Sequence, residues 1–171
     1  MLVLGIVGWS GSGKTTLLTR VIPLLRARCL SVSTVKHAHH GFDMDRPGKD
    51  TYRHREAGAH EVLIATARRW ALLHEVDGPE PGLPALLARM APVDLVLVEG
   101  FKTHEFPKLE VYRPALGKPP IWPDWSDVVA IATDAVLADC GRAVLNLNDP
   151  PAVAAWIACY VISHRRVPAG P

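Results

Sequence analysis

Residues 8–16 read GWSGSGKTT and match the phosphate-loop pattern G-x-x-x-x-G-K-S/T. Glycines in such a loop let successive backbone N–H groups face phosphate oxygens, and the helix that follows presents its positive end to the same anion. Lys14 supplies a charge to the β- and γ-phosphates, and the Thr15 hydroxyl supplies a magnesium ligand. A glycine-rich turn without a ligand is the alternative. The stretch predicts a site for a nucleoside triphosphate with magnesium.

Apolar strands alternate with helices on either side of this loop. Strands are predicted at residues 2–7, 30–35, 93–98, 128–131 and 143–147, and a closing helix at 152–163. Uniformly apolar strands indicate a parallel sheet covered on both faces. We therefore expect one α/β domain over residues 1–171, with the P-loop NTPase fold, a mostly parallel sheet and helices on both faces. Residues 108–112 alternate polar and apolar side chains, which predicts a strand with one face in water.

A β-hairpin is expected to extend from this domain. Residues 61–66 and 69–75 predict two strands with a tight connection, and both strands carry apolar side chains on both faces. An exposed hairpin of this kind has unpaired edges that favour association. We therefore expect a homodimer formed through the hairpin at about residues 60–76.

Polar residues and glycines collect where the predicted strands end, which is the ligand-binding edge of a parallel sheet. Glu99 ends the most apolar strand and is the candidate Walker B acid for magnesium, while Gly100 can bring its N–H close to a γ-phosphate. The ends of the last two strands supply candidates for binding the base. These are Thr133, Asp134 and Asn146. The presence of these residues does not by itself prove guanine over adenine.

The polar loop at residues 36–50, KHAHHGFDMDRPGKD, permits two interpretations. One is a transition-metal site that uses several of its side chains, from among His37, His39, His40, Asp43, Asp45 and Asp50. The simpler one is a switch-like loop in which Lys36 and one histidine face phosphate while Asp45 reaches magnesium.

Composition restricts the class of protein. The 171 residues carry a net charge of +2, which is too small to indicate nucleic acid as an obligatory partner. Three distant cysteines, Cys29, Cys140 and Cys159, favour a reducing compartment over a disulfide framework. No apolar run approaches the roughly 20 residues that span a bilayer, and no signal-peptide pattern precedes the first strand. We expect a cytoplasmic protein without a membrane partner.

Four segments resemble molybdopterin-guanine dinucleotide biosynthesis protein B, the MobB family. They are GWSGSGKTT, TVKHAHHGFDMDRPGKDTYRHREAGA, LVLVEGFK and NLNDPPAVAAWI. The resemblance implies a homodimer that binds GTP with Mg²⁺, is at most a slow GTPase, and assists a MobA-type guanylyltransferase that attaches GMP to molybdenum-bound molybdopterin. It assigns phosphate-binding roles to Gly11, Ser12, Gly13, Lys14, Thr15 and Thr16, in addition to Gly8, Lys36 and Gly100. It also assigns magnesium roles to Asp45 and Glu99.

Two other functions are compatible with the same motifs. One is a small-molecule kinase or ligase of the P-loop fold, with Arg53 and Arg55 binding the acceptor. The other is a metallochaperone GTPase that uses the histidines of the 36–50 loop. The proline-rich residues 113–126 lie outside the four matched segments and predict an ordered but irregular surface loop.

Overall fold

The computed structural model describes residues 1–38, 43–101, 104–137 and 140–164. The chain divides into two compact units, the first formed by Met1–His37 and Ala91–Pro171 and the second by Ala38–Met90. The first unit contains the phosphate loop, and the second contains the predicted hairpin. One domain over residues 1–171 stays a prediction.

Eight strands and four α-helices make up the described chain. In order they are β1 (Leu2–Val7), α1 (Lys14–Arg26), β2 (Val32–Lys36), α2 (Asp50–Glu56), β3 (Glu61–Ala65), β4 (Trp70–His74), α3 (Leu83–Leu87), β5 (Leu95–Glu99), β6 (Lys108–Tyr112), β7 (Val128–Thr133), β8 (Ala143–Asn146) and α4 (Pro150–Ser163). None of the helices in the described part of the chain is long and apolar enough to cross a membrane.

Six strands of the first unit form one sheet in the order β2-β5-β1-β6-β7-β8. Every neighbouring pair in it is parallel. The carboxyl ends of all six strands therefore lie along one edge, with the phosphate loop leaving the interior strand β1. The predicted α/β fold with a parallel sheet and a separate hairpin is confirmed.

Helices α1 and α4 pack into one apolar cluster with the sheet. Each contributes side chains at helical spacing, and each of these is buried: Leu17, Val21 and Leu25 from α1, and Val153, Ile157 and Val161 from α4. Burying a side chain of this size stabilises the fold by about 1.5–3 kcal/mol. Asp149 caps α4, because its Oδ1 accepts a hydrogen bond from the Ala152 N–H at 3.0 Å. This cluster fixes α1 behind the phosphate loop.

The prediction that β6 has one face in water is wrong. Lys108 and Glu110 are fully buried. The Glu110 carboxylate accepts hydrogen bonds from the N–H groups of Ile121 at 2.9 Å and Trp122 at 2.8 Å, while Lys108 Nζ pairs with Asp127. Burial raises the pKa of Glu110 although the two N–H groups act to lower it. The alternating polar residues of β6 are therefore buried and hydrogen-bonded inside the protein. The sequence pattern does not distinguish this arrangement from exposure to solvent.

The proline-rich residues 113–126 supply those partners for Glu110. They contain a short 3-10 helix at Pro114–Leu116. Trp122 and Trp125 pack against a second apolar cluster that includes Val7, Val128 and Ile131. The segment is therefore ordered and irregular, and it packs against side chains of β1 and β7.

The second unit contains the hairpin of β3 and β4, paired antiparallel from Glu61↔His74 to Ala65↔Trp70. Leu63 lies opposite Leu72 in this register, and side chains two residues apart share a face. Leu63, Trp70 and Leu72 therefore form one apolar face, and their exposed fractions are 59%, 66% and 41%. An apolar face this open is unusual for a surface that contacts only water.

Candidate functional site

The phosphate loop begins in a conformation that requires glycine. Gly8 has a φ of 144°, and a Cβ atom there would lie 2.4 Å from the carbonyl oxygen of Val111. Strand β6 thus passes so close to the loop that no side chain fits. Gly13 then serves as the N-cap of α1, with a φ of 97°. Glycine is therefore required at the start of the loop, and the N-cap of α1 has the left-handed backbone that glycine favours.

The Lys14 ammonium group lies at this loop. Its Nζ donates hydrogen bonds to the carbonyl oxygens of Gly8 at 3.0 Å and Trp9 at 2.9 Å. The first turn of α1 contains no acidic side chain that would cancel the positive end of the helix. Thr16 lies in this same turn and is exposed. A cation and a helix N-terminus therefore meet at the loop, which is the arrangement that binds phosphate.

The candidate magnesium ligands Thr15 and Glu99 meet at the carboxyl ends of β1 and β5. The Thr15 hydroxyl donates to Glu99 Oε2 at 3.4 Å. Two adjacent ligands of an octahedral magnesium ion lie about 2.9 Å apart, given Mg–O distances of about 2.0–2.1 Å. A hydroxyl and a carboxylate are oxygen ligands of the kind magnesium prefers. The two side chains therefore fit this ion.

Lys36 ends β2 directly opposite Glu99 in the strand register. The next residue, His37, donates its backbone N–H to the Glu99 carbonyl at 2.8 Å. Gly100 has a φ of 102°, and a Cβ atom there would lie 2.6 Å from the His37 Cβ. Glycine is therefore required where β2 and β5 approach each other. The phosphate contacts predicted for Lys36 and Gly100 stay predictions.

The histidine-rich loop is only partly described, since His39 and His40 lie outside the described residues. The His37 ring stacks on Phe101 with 4.5 Å between ring centroids. Among the residues that the structure does describe, no three His, Cys, Asp or Glu side chains form a metal-binding group. A transition-metal site on this loop stays a prediction.

Asp45 belongs to the second unit, where its carboxylate has partners. Oδ1 accepts hydrogen bonds from the Thr51 hydroxyl at 2.6 Å and the Arg46 N–H at 3.1 Å. Oδ2 lies 3.6 Å from Arg55 Nε and is buried without a hydrogen bond. A magnesium role for Asp45 stays a prediction.

The base-binding candidates lie at the ends of β7 and β8, which are on the opposite side of β1 from β5 and β2. Thr133 ends β7 opposite Asn146, the last residue of β8. Thr133 is buried, and its hydroxyl accepts a hydrogen bond from the Ala135 N–H at 3.2 Å. Asn146 is exposed, and its side-chain oxygen accepts from the Asn148 N–H at 2.9 Å. Side-chain hydrogen bonds therefore hold the turns after both strands, and base binding by these residues stays a prediction.

Arg113 is a residue of this edge that the sequence analysis missed. Its guanidinium donates to the Ser12 carbonyl at 3.0 Å and to Asp134 Oδ2 at 2.5 Å. Arg113 directly follows β6, so the rule that selected the ends of the other strands would have selected it too. The wrong interpretation of β6 as a half-exposed strand removed its end from consideration.

Comparisons with known proteins agree with these features. The family model for molybdopterin guanine dinucleotide synthesis protein B, MobB, matches residues 3–134. The molybdopterin-guanine dinucleotide biosynthesis adapter protein of Haemophilus influenzae is 43% identical over 159 residues, covering 91% of this chain and 86% of that protein. The Escherichia coli adapter protein is 41% identical, covering 91% and 90%.

Solved structures give the same result. A crystal structure of molybdopterin-guanine biosynthesis protein B matches with a TM-score of 0.75 and 28% identity, covering 94% of this chain and 99% of that one. The MobB homolog from Bacillus stearothermophilus matches with a TM-score of 0.72 and 25% identity, covering 96% and 100%.

Proposed function

The chain belongs to the molybdopterin guanine dinucleotide synthesis protein B family, and we propose that it binds GTP with Mg²⁺ as an adapter in forming that dinucleotide. One observation carries the nucleotide part of this proposal. Thr15 and Glu99 are 84 positions apart in the chain, yet their oxygens lie within 3.4 Å beside the phosphate loop. This contact supports the proposal that a divalent-metal site lies beside a phosphate-binding loop.

Each residue has a distinct part in binding. Backbone N–H groups of the loop and the start of α1 would bind the phosphates, and Lys14 would exchange the Gly8 and Trp9 carbonyls for phosphate oxygens. Thr15 and Glu99 would hold Mg²⁺, with Asp45 as a third candidate. Bound magnesium neutralises charge on the β- and γ-phosphates. Thr133, Asp134 and Asn146 would contact the base.

Glu99→Gln is expected to remove most of the dependence of GTP binding on Mg²⁺. The amide keeps the shape of the side chain but loses the charge that binds the metal. In calorimetry, the wild-type protein should bind GTP about 10–100-fold more tightly with Mg²⁺ than with EDTA, since one or two charge-assisted contacts contribute about 1.5–3 kcal/mol. The variant should show a ratio near one.

Glu105→Gln is the matched control for that experiment, because Glu105 is an exposed glutamate just after β5. It should keep the full magnesium dependence. Equal magnesium dependence in the wild type and Glu99→Gln would contradict the assignment of Glu99.

A kinase or ligase that binds its acceptor through Arg55 is not supported by the contacts of that side chain. Its guanidinium lies 2.9 Å from Asp43, 3.3 Å from Glu75 and 3.6 Å from Asp45. Three carboxylates of the same unit thus compensate its charge. An anionic acceptor would have to displace them.

The proposed partners follow from the adapter role. The GTP-bound protein would be recognised by a MobA-type guanylyltransferase that acts on molybdopterin, in the cytoplasm. The relatives in Haemophilus influenzae and Escherichia coli are named as adapter proteins of this biosynthesis, which supports the proposal.

The hairpin is the proposed homodimer contact, and Trp70→Glu is expected to give a monomer. Trp70 is 66% exposed on the apolar face with Leu63 and Leu72. Removing a buried tryptophan from an interface typically costs 2 kcal/mol or more, about 30-fold in affinity, and a buried charge adds to this. Light scattering at micromolar concentration should give twice the chain mass of 18.6 kDa for the wild type and that mass for the variant.

Val136→Glu controls for added charge, because Val136 is fully exposed in the first unit. It should remain a dimer. A monomeric wild-type protein under these conditions would refute the proposed assembly.

A further inference from the structure

We propose that Arg113 is a positioning residue that links the phosphate loop to the base-binding edge, so that triphosphate binding and purine selection depend on each other. The proposal rests on the proposed nucleotide function and assigns a role within the same site. It names Asp134 as the side chain through which the base is read. The ligand class is a purine nucleoside triphosphate whose base presents adjacent N–H donors.

The strand register brings the three groups together. Tyr112 of β6 lies opposite Thr133 of β7, so Arg113 and Asp134 directly follow a register pair. On its other side, β6 pairs with β1 up to Val7, immediately before the phosphate loop. Arg113 therefore leaves the one strand that lies between the phosphate loop and the base-binding edge.

The guanidinium uses two different nitrogens for its two contacts. Nε donates to the Ser12 carbonyl at 3.0 Å, and one terminal nitrogen donates to Asp134 Oδ2 at 2.5 Å. The guanidinium is planar and its donors are fixed in direction. The position of the Ser12 carbonyl thus limits where the Asp134 carboxylate can lie. A lysine has one compact ammonium group and cannot impose this relation.

The link joins a buried residue of the phosphate loop to a partly exposed ion pair. The side chains of Arg113 and Asp134 are 35% and 24% exposed, and Ser12 is 1% exposed. A Cβ atom at Gly13 would lie 3.7 Å from Arg113 Nε, so the guanidinium reaches the residue that caps α1. The contact is therefore with the part of the loop that positions the helix N-terminus toward phosphate.

The chemistry of the carboxylate predicts which base it selects. Guanine has N–H donors on N1 and on its N2 amino group, whereas adenine has an acceptor at N1 and carries its donor on N6. An ionised carboxylate accepts hydrogen bonds and donates none. Arg113 sets the orientation of the Asp134 carboxylate through their hydrogen bond, so guanine should be preferred as long as this pair is intact.

The test compares three ligands on the full chain: GTP, ATP and inorganic tripolyphosphate, each with Mg²⁺, measured by calorimetry on wild type, Arg113→Lys, Asp134→Asn and the double variant. We expect Arg113→Lys to lower GTP affinity about tenfold, as for one lost charge-assisted hydrogen bond. The affinity for tripolyphosphate should fall by less than the affinity for GTP. The preference of the variant for GTP over ATP should also be smaller than that of the wild type. Asp134→Asn should lower the same preference, and the double variant should lose little more than Asp134→Asn alone.

Equal losses of affinity for all three ligands in Arg113→Lys would overturn the proposal, because they would mean that Arg113 stabilises the phosphate loop and has no effect on base selection. An unchanged GTP to ATP ratio in Asp134→Asn, or a wild-type protein with no preference, would also overturn it. Thermal unfolding monitors the fold of each variant, and Asp134→Asn carries the test if Arg113→Lys does not fold. A wild-type protein that binds neither GTP nor tripolyphosphate would instead contradict the proposed nucleotide function itself.

Discussion

Lys14→Ala is expected to lose about 100-fold or more in GTP affinity while it folds normally. The Lys14 ammonium group lies within 3.0 Å of two carbonyls of the phosphate loop. Its hydrogen bonds to a charged ligand are each worth about 1.5–3 kcal/mol, and 1.4 kcal/mol is tenfold in affinity. The side chain lies at an open ligand edge outside the two apolar clusters. The thermal unfolding midpoint should therefore change little.

Lys118→Ala provides the matched control, because Lys118 is an exposed lysine near Trp9 of the same loop. It tests whether the general positive potential of this region accounts for binding. GTP affinity should stay within about threefold of the wild type, as expected for a screened surface charge. If Lys14→Ala kept wild-type affinity for both GTP and ATP, the loop would not be a nucleotide site.

The phosphate loop and Glu99 could be predicted because local patterns encode them. A glycine-rich turn between an apolar strand and a helix has few alternatives, and an acid that ends the most apolar strand is placed at the ligand edge by topology alone. Glu99 and Thr15 meet as expected. The positions of these side chains could thus be predicted without knowledge of packing.

The burial of β6 was beyond the sequence pattern, and the wrong interpretation of β6 also led to Arg113 being missed. Lys108 and Glu110 look like solvent-facing residues, yet Asp127 and the N–H groups of Ile121 and Trp122 satisfy them inside the protein. Such partners come from a proline-rich loop without periodicity. A pattern records polarity, whereas burial of a polar group depends on whether a distant segment hydrogen-bonds to it.

Slow GTP hydrolysis is the second large effect that we expect. Efficient hydrolysis needs a residue that orients the attacking water and a cation that offsets charge in the transition state; a supplied arginine contributes about 10³–10⁵ in rate. The chain contains no glutamine, the residue that orients water in many GTPases. Arg113 is the arginine seen at the phosphate loop, and its guanidinium is held by Ser12 and Asp134.

The purified protein should therefore release phosphate from GTP at about 10⁻⁴–10⁻² per second, in the range of unassisted small GTPases. Steady-state phosphate release measures this, first with the protein alone and then with a MobA-type guanylyltransferase and molybdopterin. An adapter whose GTP-bound form is recognised by its partner needs this bound state to last. The transfer of GMP should require the transferase in every case. Turnover above about 1 per second without a partner, as in ordinary enzymes, would show that the protein is an enzyme in its own right, because an adapter hydrolysing that fast would lose its bound state before the partner arrived.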